Sequence, residues 1–206
     1  MRNTIYNNLI ENKKLYKRTI IFLGFSGLLT FIVALIIYVI DPNIEAMLKS
    51  VEGKVVEEVT TSTGMKKAGL YIVNNGFKVP MQMLLLALIP IPYLYMMNII
   101  VTVGTVGILF GAILRENIRD GVKLILSTLP YFIVEIMAFC LLAAVLFELN
   151  KAIRTKIKNI YQKPHRSAFV MQKSLKIIRV YTILVLPMII VAALLETYVS
   201  DILFNL

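Results

Sequence analysis

Residues 19–40 read TIIFLGFSGLLTFIVALIIYVI, 22 positions without a charged side chain. At 1.5 Å per residue this stretch makes a helix about 33 Å long, enough to cross a hydrocarbon core roughly 30 Å thick with a modest tilt. Asp41-Pro42-Asn43 stops it, because proline cannot continue the helical ladder and aspartate is costly in lipid. The run is too long for a signal-peptide core, and no small-residue cleavage site follows, Ala46 being isolated. It reads as a retained membrane anchor.

The rest of the chain has the same character. It is 58% hydrophobic over 206 residues, against roughly 45–50% apolar for an ordinary soluble domain. One water-soluble core cannot absorb that surface, so lipid must solvate part of it. The expected fold is all-α, a polytopic transmembrane helix bundle of about five spans, forming one integral membrane domain over residues 1–206. Residues 1–18 place Ile5, Tyr6, Leu9 and Ile10 at helical spacing ahead of Lys13, Lys14, Lys17 and Arg18. They read as an interfacial amphipathic helix, with a frayed basic tail as the alternative. Residues 41–79 read as an extracytoplasmic loop. Ile44–Val59 within it could form an amphipathic helix, and Asn74-Asn75-Gly76 closes it as a turn or helix entry.

Met81 to Leu114 is uncharged over 34 residues, too long for one span and short for two. Pro90 and Pro92 interrupt it, and the spacing suggests two short helices turning near Asn98, or a re-entrant hairpin. Gly104, Gly107 and Gly111 follow, and the Gly-x-x-x-Gly at 107–111 offers a flat face for close helix packing. A long helix over 122–150 and a last span over 177–199, kinked at Pro187, complete the bundle.

The formal charge is +10, and its placement argues against nucleic acid. Five Lys/Arg precede the first span, and nine fall between Lys151 and Arg179 with no acid among them. This is the cytoplasmic excess of cations that orients membrane proteins. It puts the N-terminus and the basic loop 151–176 in the cytoplasm and the C-terminus outside the cell membrane. Within that loop Lys151, Arg154, Lys156, Lys158 and Arg166 are the candidate docking residues for a cytoplasmic partner. His165 beside Pro164 reads as a solvated loop residue.

Two acids stand where acids are expensive. Glu135 lies deep in the apolar run 122–149, and Glu196 near the end of the last. A carboxylate at membrane depth costs roughly 2.5–3.5 kcal/mol or more unless partnered or hydrated. Tyr131 and Glu135 are four apart, on one helix face, and Pro130 frees a backbone carbonyl one turn earlier. This group could bind a cation, relay a proton or hold a polar substrate in a polar interior that includes Asn98. It could also simply lock helices together. Glu196 could equally be an interfacial acid reaching for headgroups. If the two acids met, one would be forced toward neutrality. No nucleophile or phosphate-binding motif is present, and the single Cys140 and single histidine offer no metal spacing. The expectation is a non-enzyme without cofactor or metal. The ten methionines read as adaptable packing.

Four motifs together resemble the stage II sporulation protein M family of bacterial integral membrane proteins. Asn74-Asn75 precedes a span. Val106-Gly107 with Gly111 keeps the glycines of an Asn-Gly-x-x-x-Gly element. Pro130 and Glu135 keep the ends of a Pro-His-Gly-x-x-Glu element, with Tyr131 and Phe132 in place of His-Gly. Ala192, Ala193, Glu196 and Tyr198 fit a closing Ala-x-x-Glu string. The resemblance covers roughly residues 70–200. It implies one of two roles: a membrane component of bacteriocin export and self-protection beside ATP-binding-cassette proteins, or a membrane scaffold in spore formation. Small size and the basic loop favour the first, a non-catalytic subunit working as a homo-oligomer or with another membrane subunit and a cytoplasmic ATPase. A scaffold recruiting cell-wall-remodelling enzymes through 41–79, and an ion or proton carrier centred on Glu135, are the alternatives.

Overall fold

A computed structural model of the chain describes residues 2–40, 62–159 and 167–204. These residues form helices and no strand. Helix α1 is Arg2–Ile40. Helix α2 runs from Gly64–Tyr71 through a wider-wound π segment, Ile72–Lys78, into Val79–Leu88. Helix α3 is Met97–Glu116, entered through a 3-10 turn at Leu94–Met96. Helix α4 is Ile118–Asn159. Helix α5 begins at Ser167–Val180, passes through a π segment at Tyr181–Val185, continues as Leu186–Leu194, widens again at Leu195–Val199 and ends at Ser200–Phe204.

Among the described residues, four stretches are long and apolar enough to cross a membrane: Lys13–Ile40, Leu94–Glu116, Ile118–Lys158 and Ser174–Val199. The chain thus has the expected all-α polytopic architecture. Three details differ from the sequence reading. The interfacial helix and first span are one unbroken helix, since nothing between Arg18 and Thr19 stops the ladder. The turn in 81–114 falls at 89–93, where Pro90 and Pro92 remove two donors, and Asn98 is already inside α3. Asn74-Asn75-Gly76 is no turn. It lies within the π segment of a helix that begins at Gly64, so residues 64–79 of the expected 41–79 loop are helical. Ile44–Val59 lies outside the described residues.

Contacts fix the directions of the helices. A Cβ on Gly107 would meet the Thr30 carbonyl oxygen at 2.8 Å, and one on Gly111 the Ala34 carbonyl oxygen at 2.4 Å. Rising numbers face rising numbers, so α1 and α3 are parallel, their backbones in near contact through the two glycines. Gly104 has open space instead. Against α4 the numbers run oppositely. Arg18 forms an ion pair with Glu148 and its guanidinium lies 4.3 Å from the Phe147 ring centroid, while Ser26 Oγ is 3.8 Å from Cys140 Sγ. α1 and α4 are therefore antiparallel. The α3–α4 link is the single residue Asn117, whose Oδ1 accepts from the Arg119 N–H at 3.0 Å and so caps α4.

Since α1 and α3 point the same way, the chain between them must return through the depth of the bundle. α2 makes that return. Its end is held at the basic end of the bundle by Asn150, 1% exposed, whose Nδ2 donates to the carbonyls of Ala87, Ile89 and Ile91 at 3.0, 2.7 and 3.3 Å. Tyr93 then takes a left-handed backbone, φ 63°, unusual for a non-glycine residue. Its ring is anchored 5.8 Å from the Phe147 centroid. α2 carries Lys66, Lys67, Asn74, Asn75, Lys78 and Gln82, which is why its return path was illegible as a span.

The π segment of α2 and the first of the two in α5 have a common cause. Ile72–Lys78 runs up to Pro80, and Tyr181–Val185 runs up to Pro187. A proline ring clashes with the carbonyl four residues back and offers it no N–H, so the helix opens there. The Gly76 carbonyl, four before Pro80, accepts from the Tyr181 hydroxyl instead. That bond ties α2 to α5, and buried Gly76 lets Leu186 and Ile189 approach.

Candidate functional site

The three π segments line the seam where α2 packs on α5. Within it Leu195–Val199 packs on both Gly64–Tyr71 and α4, and Ile72–Lys78 packs on Leu186–Leu194. Leu195–Val199 has no proline behind it, and it holds Glu196. Such wide turns recur at functional sites, where an inserted residue re-aims side chains.

The seam places Glu196 on a stretch of α5 that packs against α4, the helix that carries Glu135. Glu135 is 8% exposed. Tyr131 lies one turn before it on α4, and buried Thr128 a further turn back. From α2, Gly64–Tyr71, which carries Lys67 and Tyr71, packs on the same stretch of α5. Sequence reasoning missed Tyr71, Lys67 and Thr128. The two on α2 were hidden because that stretch reads as a loop. Thr128 is one of many hydroxyl residues in apolar runs, with nothing to mark it.

Depth follows from register. The pairs Arg18–Glu148 and Ser26–Cys140 put Glu135 level with residue 31, near the middle of the uncharged run 19–40. Along α4, Glu135 lies about 20 Å from Glu148, well inside a core roughly 30 Å thick. Tyr71 lies about 24 Å along α2 from Ala87, and Glu135 about 22 Å along α4 from Asn150, which holds Ala87. α2 and α4 therefore deliver Tyr71 and Glu135 to the same depth.

Other expected site residues go elsewhere. Asn98 is at the opposite end of the seam, its Nδ2 donating to Gln82 Oε1 at 3.2 Å and to the Val79 carbonyl at 3.4 Å. It joins α2 to α3 and does not meet Glu135 or Glu196, because the turn precedes it. Pro130 is accommodated inside α4 without ending it. Gly107 and Gly111 pack on α1, and Gly104 does not. Lys151, Lys156 and Lys158 are exposed, whereas Arg154 is half-buried and donates from Nε to Asn150 Oδ1 at 2.9 Å. Arg154 therefore braces the Asn150 anchor. Arg166 and His165 lie outside the described residues. Among the described residues no group of three or more His, Cys, Asp or Glu is placed to hold a metal ion.

A family model, Stage II sporulation protein M, matches residues 19–201, from the start of the first uncharged run to beyond Glu196. The chain belongs to the stage II sporulation protein M family. No curated protein and no solved structure matches it. In this member of the family, three of the four motifs noted in the sequence converge on the seam: Asn74-Asn75 in the α2 π segment, Pro130 with Glu135 on α4, and Ala192, Ala193 and Glu196 on α5. Ala192 and Ala193 are buried there, small enough for α5 to approach α4 closely. The glycine motif serves the α1–α3 contact instead.

Proposed function

We propose that this membrane protein is a non-catalytic subunit of a bacterial transport or immunity assembly. It acts with further copies of itself or another membrane protein, and with an ATP-binding-cassette ATPase at its cytoplasmic face. The observation that carries this reading is the polar seam. Buried Glu135, on α4 beside Tyr131, and Glu196, on the stretch of α5 that packs against α4, both stand within apolar runs of the bundle. Interhelical hydrogen bonds in membranes average only about 0.6 kcal/mol, which is weak reason to bury acids for adhesion alone.

The basic end supports the rest. Beyond Glu148, α4 continues to Asn159, about 16 Å past the Arg18–Glu148 level. Lys151, Lys156 and Lys158 are exposed along this extension. By the distribution of Lys and Arg this end faces the cytoplasm. α2 then crosses outward-to-inward, making five crossings, and the C-terminal end of α5 lies outside. A cationic stalk on the cytoplasmic side suits docking of an acidic surface.

Extraction in mild detergent should recover the protein as an oligomer or with a second membrane subunit, and an ATPase should co-purify. The variant Lys151→Glu/Lys156→Glu/Lys158→Glu should lose the ATPase while inserting normally. Recovery of a lone monomer under every mild condition would overturn this reading.

A further inference from the structure

Lys78 stands exposed on α2, within its passage through the bundle. It precedes Ala87 by about 13 Å along the helix, and Asn150, which holds Ala87, is about 3 Å beyond Glu148. Lys78 is therefore about 10 Å inside the Arg18–Glu148 level. A second register agrees. Gly107 faces Thr30 and Gly111 faces Ala34, so Asn98 is level with Ile21, about 4.5 Å inside Arg18, and its partner Gln82 is one turn short of Lys78. No described residue pairs with the Lys78 ammonium.

Gln82 is exposed on the same face of α2, one turn along. Its Oε1 accepts from Asn98 Nδ2 at 3.2 Å, and that nitrogen also donates to the Val79 carbonyl at 3.4 Å. Asn98 thus fixes the amide and leaves Gln82 Nε2 without an acceptor among the described residues. Phe77, Met81 and Leu85 are exposed around the two. Acyl chains cannot solvate a cation and a free amide at this depth. Snorkelling runs the wrong way for Lys78. Helical Cα–Cβ bonds tilt toward the N-terminus, which for α2 is the outer end, away from the nearer surface. A second copy does not answer the face either. It would bring another Lys78, and in a copy of the same orientation the described acids are misplaced. Glu135 is buried and Glu148 paired. Glu196 stands about 15 Å farther out than Lys78, since Gly76 lies against Leu186 and Ile189.

We propose that this face of α2 docks a transmembrane helix of a different protein, one that carries a carboxylate inside the cytoplasmic leaflet. The Lys78 ammonium pairs with that carboxylate, Gln82 Nε2 donates to it, and Asn98 is the positioning residue for Gln82. Phe77, Met81 and Leu85 pack on the apolar surface of the incoming helix. This rests on the membrane placement in the proposed function and deepens it: of the two membrane partners named there, this surface fits the unlike subunit.

The test uses the full chain in lipid vesicles and synthetic leucine–alanine transmembrane helices, read by energy transfer between labels on protein and peptide. A peptide with one central glutamate should associate roughly tenfold more tightly than its all-apolar match. Lys78→Met should abolish that preference, Gln82→Leu should weaken it, and Lys78→Glu should transfer it to a peptide with a central lysine. This reversal cannot come from misfolding. In intact cells, a photo-crosslinker at Met81 should give an adduct with another membrane protein that has an acid within a spanning segment. Equal association of the two peptides, or a preference that survives Lys78→Met, overturns the site. So does an adduct with only lipid or a second copy. A glutamate preference in a protein that purifies only as a lone monomer would leave the site standing and sink the assembly. Co-purification of an ATPase without the preference would do the reverse.

Discussion

Gly111→Val should prevent stable assembly of the bundle. A Cβ at this position would stand 2.4 Å from the Ala34 carbonyl oxygen and 2.8 Å from Ile37 Cβ. Side-chain rotation relieves neither contact, because one partner is backbone and the other is fixed to it. α1 would have to move away from α3 along their whole parallel contact, also opening the seam at Gly107. Ordinary overpacking costs about 1–3 kcal/mol. A backbone clash between membrane helices that depend on close approach falls at or beyond the top of that range. Gly104→Ala is the matched control, since nothing lies within 4 Å of its Cβ. It should be neutral or gain the ~0.5–1 kcal/mol that alanine gives over glycine in a helix. Thermal unfolding in detergent should separate the two variants in sign. Equal midpoints would show that α1 and α3 do not meet through these glycines.

Asn150→Leu should be the second most damaging change. Leucine keeps the branching of the side chain at Cγ, is somewhat bulkier, and removes both its donor and its acceptor. The Ala87, Ile89 and Ile91 carbonyls would lose their shared partner, at about 1–3 kcal/mol for each acceptor left unsatisfied. Arg154 would lose the acceptor that braces it. The expected result is a melting midpoint several degrees lower, together with new protease sensitivity confined to 89–93. Wild-type resistance in that turn would mean that the prolines alone shape it.

The uncharged runs made four of the five helices among the described residues legible, because length and hydropathy suffice for α1, α3, α4 and α5. α2 was illegible for a physical reason. Its polar residues lower its hydropathy, and its course is dictated by the parallel packing of α1 and α3, a tertiary fact. Pro90 and Pro92 marked the break, but Asn98 drew the turn too far along, since a polar residue in an apolar run reads as a turn when its partner Gln82 is unseen. For the site, the cost of burying an acid pointed to Glu135 and Glu196. That their stretches of α4 and α5 pack together rests on helix register, which no local pattern encodes. Lys67 and Tyr71 stayed hidden with α2. The glycines at 107 and 111 were legible as a packing face, though not that α1 would fill it.

Placing the acids at mid-membrane requires α2 to pass from one side of the bilayer to the other. A membrane-impermeant maleimide tests this in a Cys140→Ser background, with single cysteines at Met65 and Tyr93, both exposed at the two ends of the α2 passage. Met65→Cys should label only from outside intact cells, and Tyr93→Cys only after the membrane is opened. Labelling of both from the same side would mean that α2 does not cross, and the two carboxylates would then lie outside the bilayer interior.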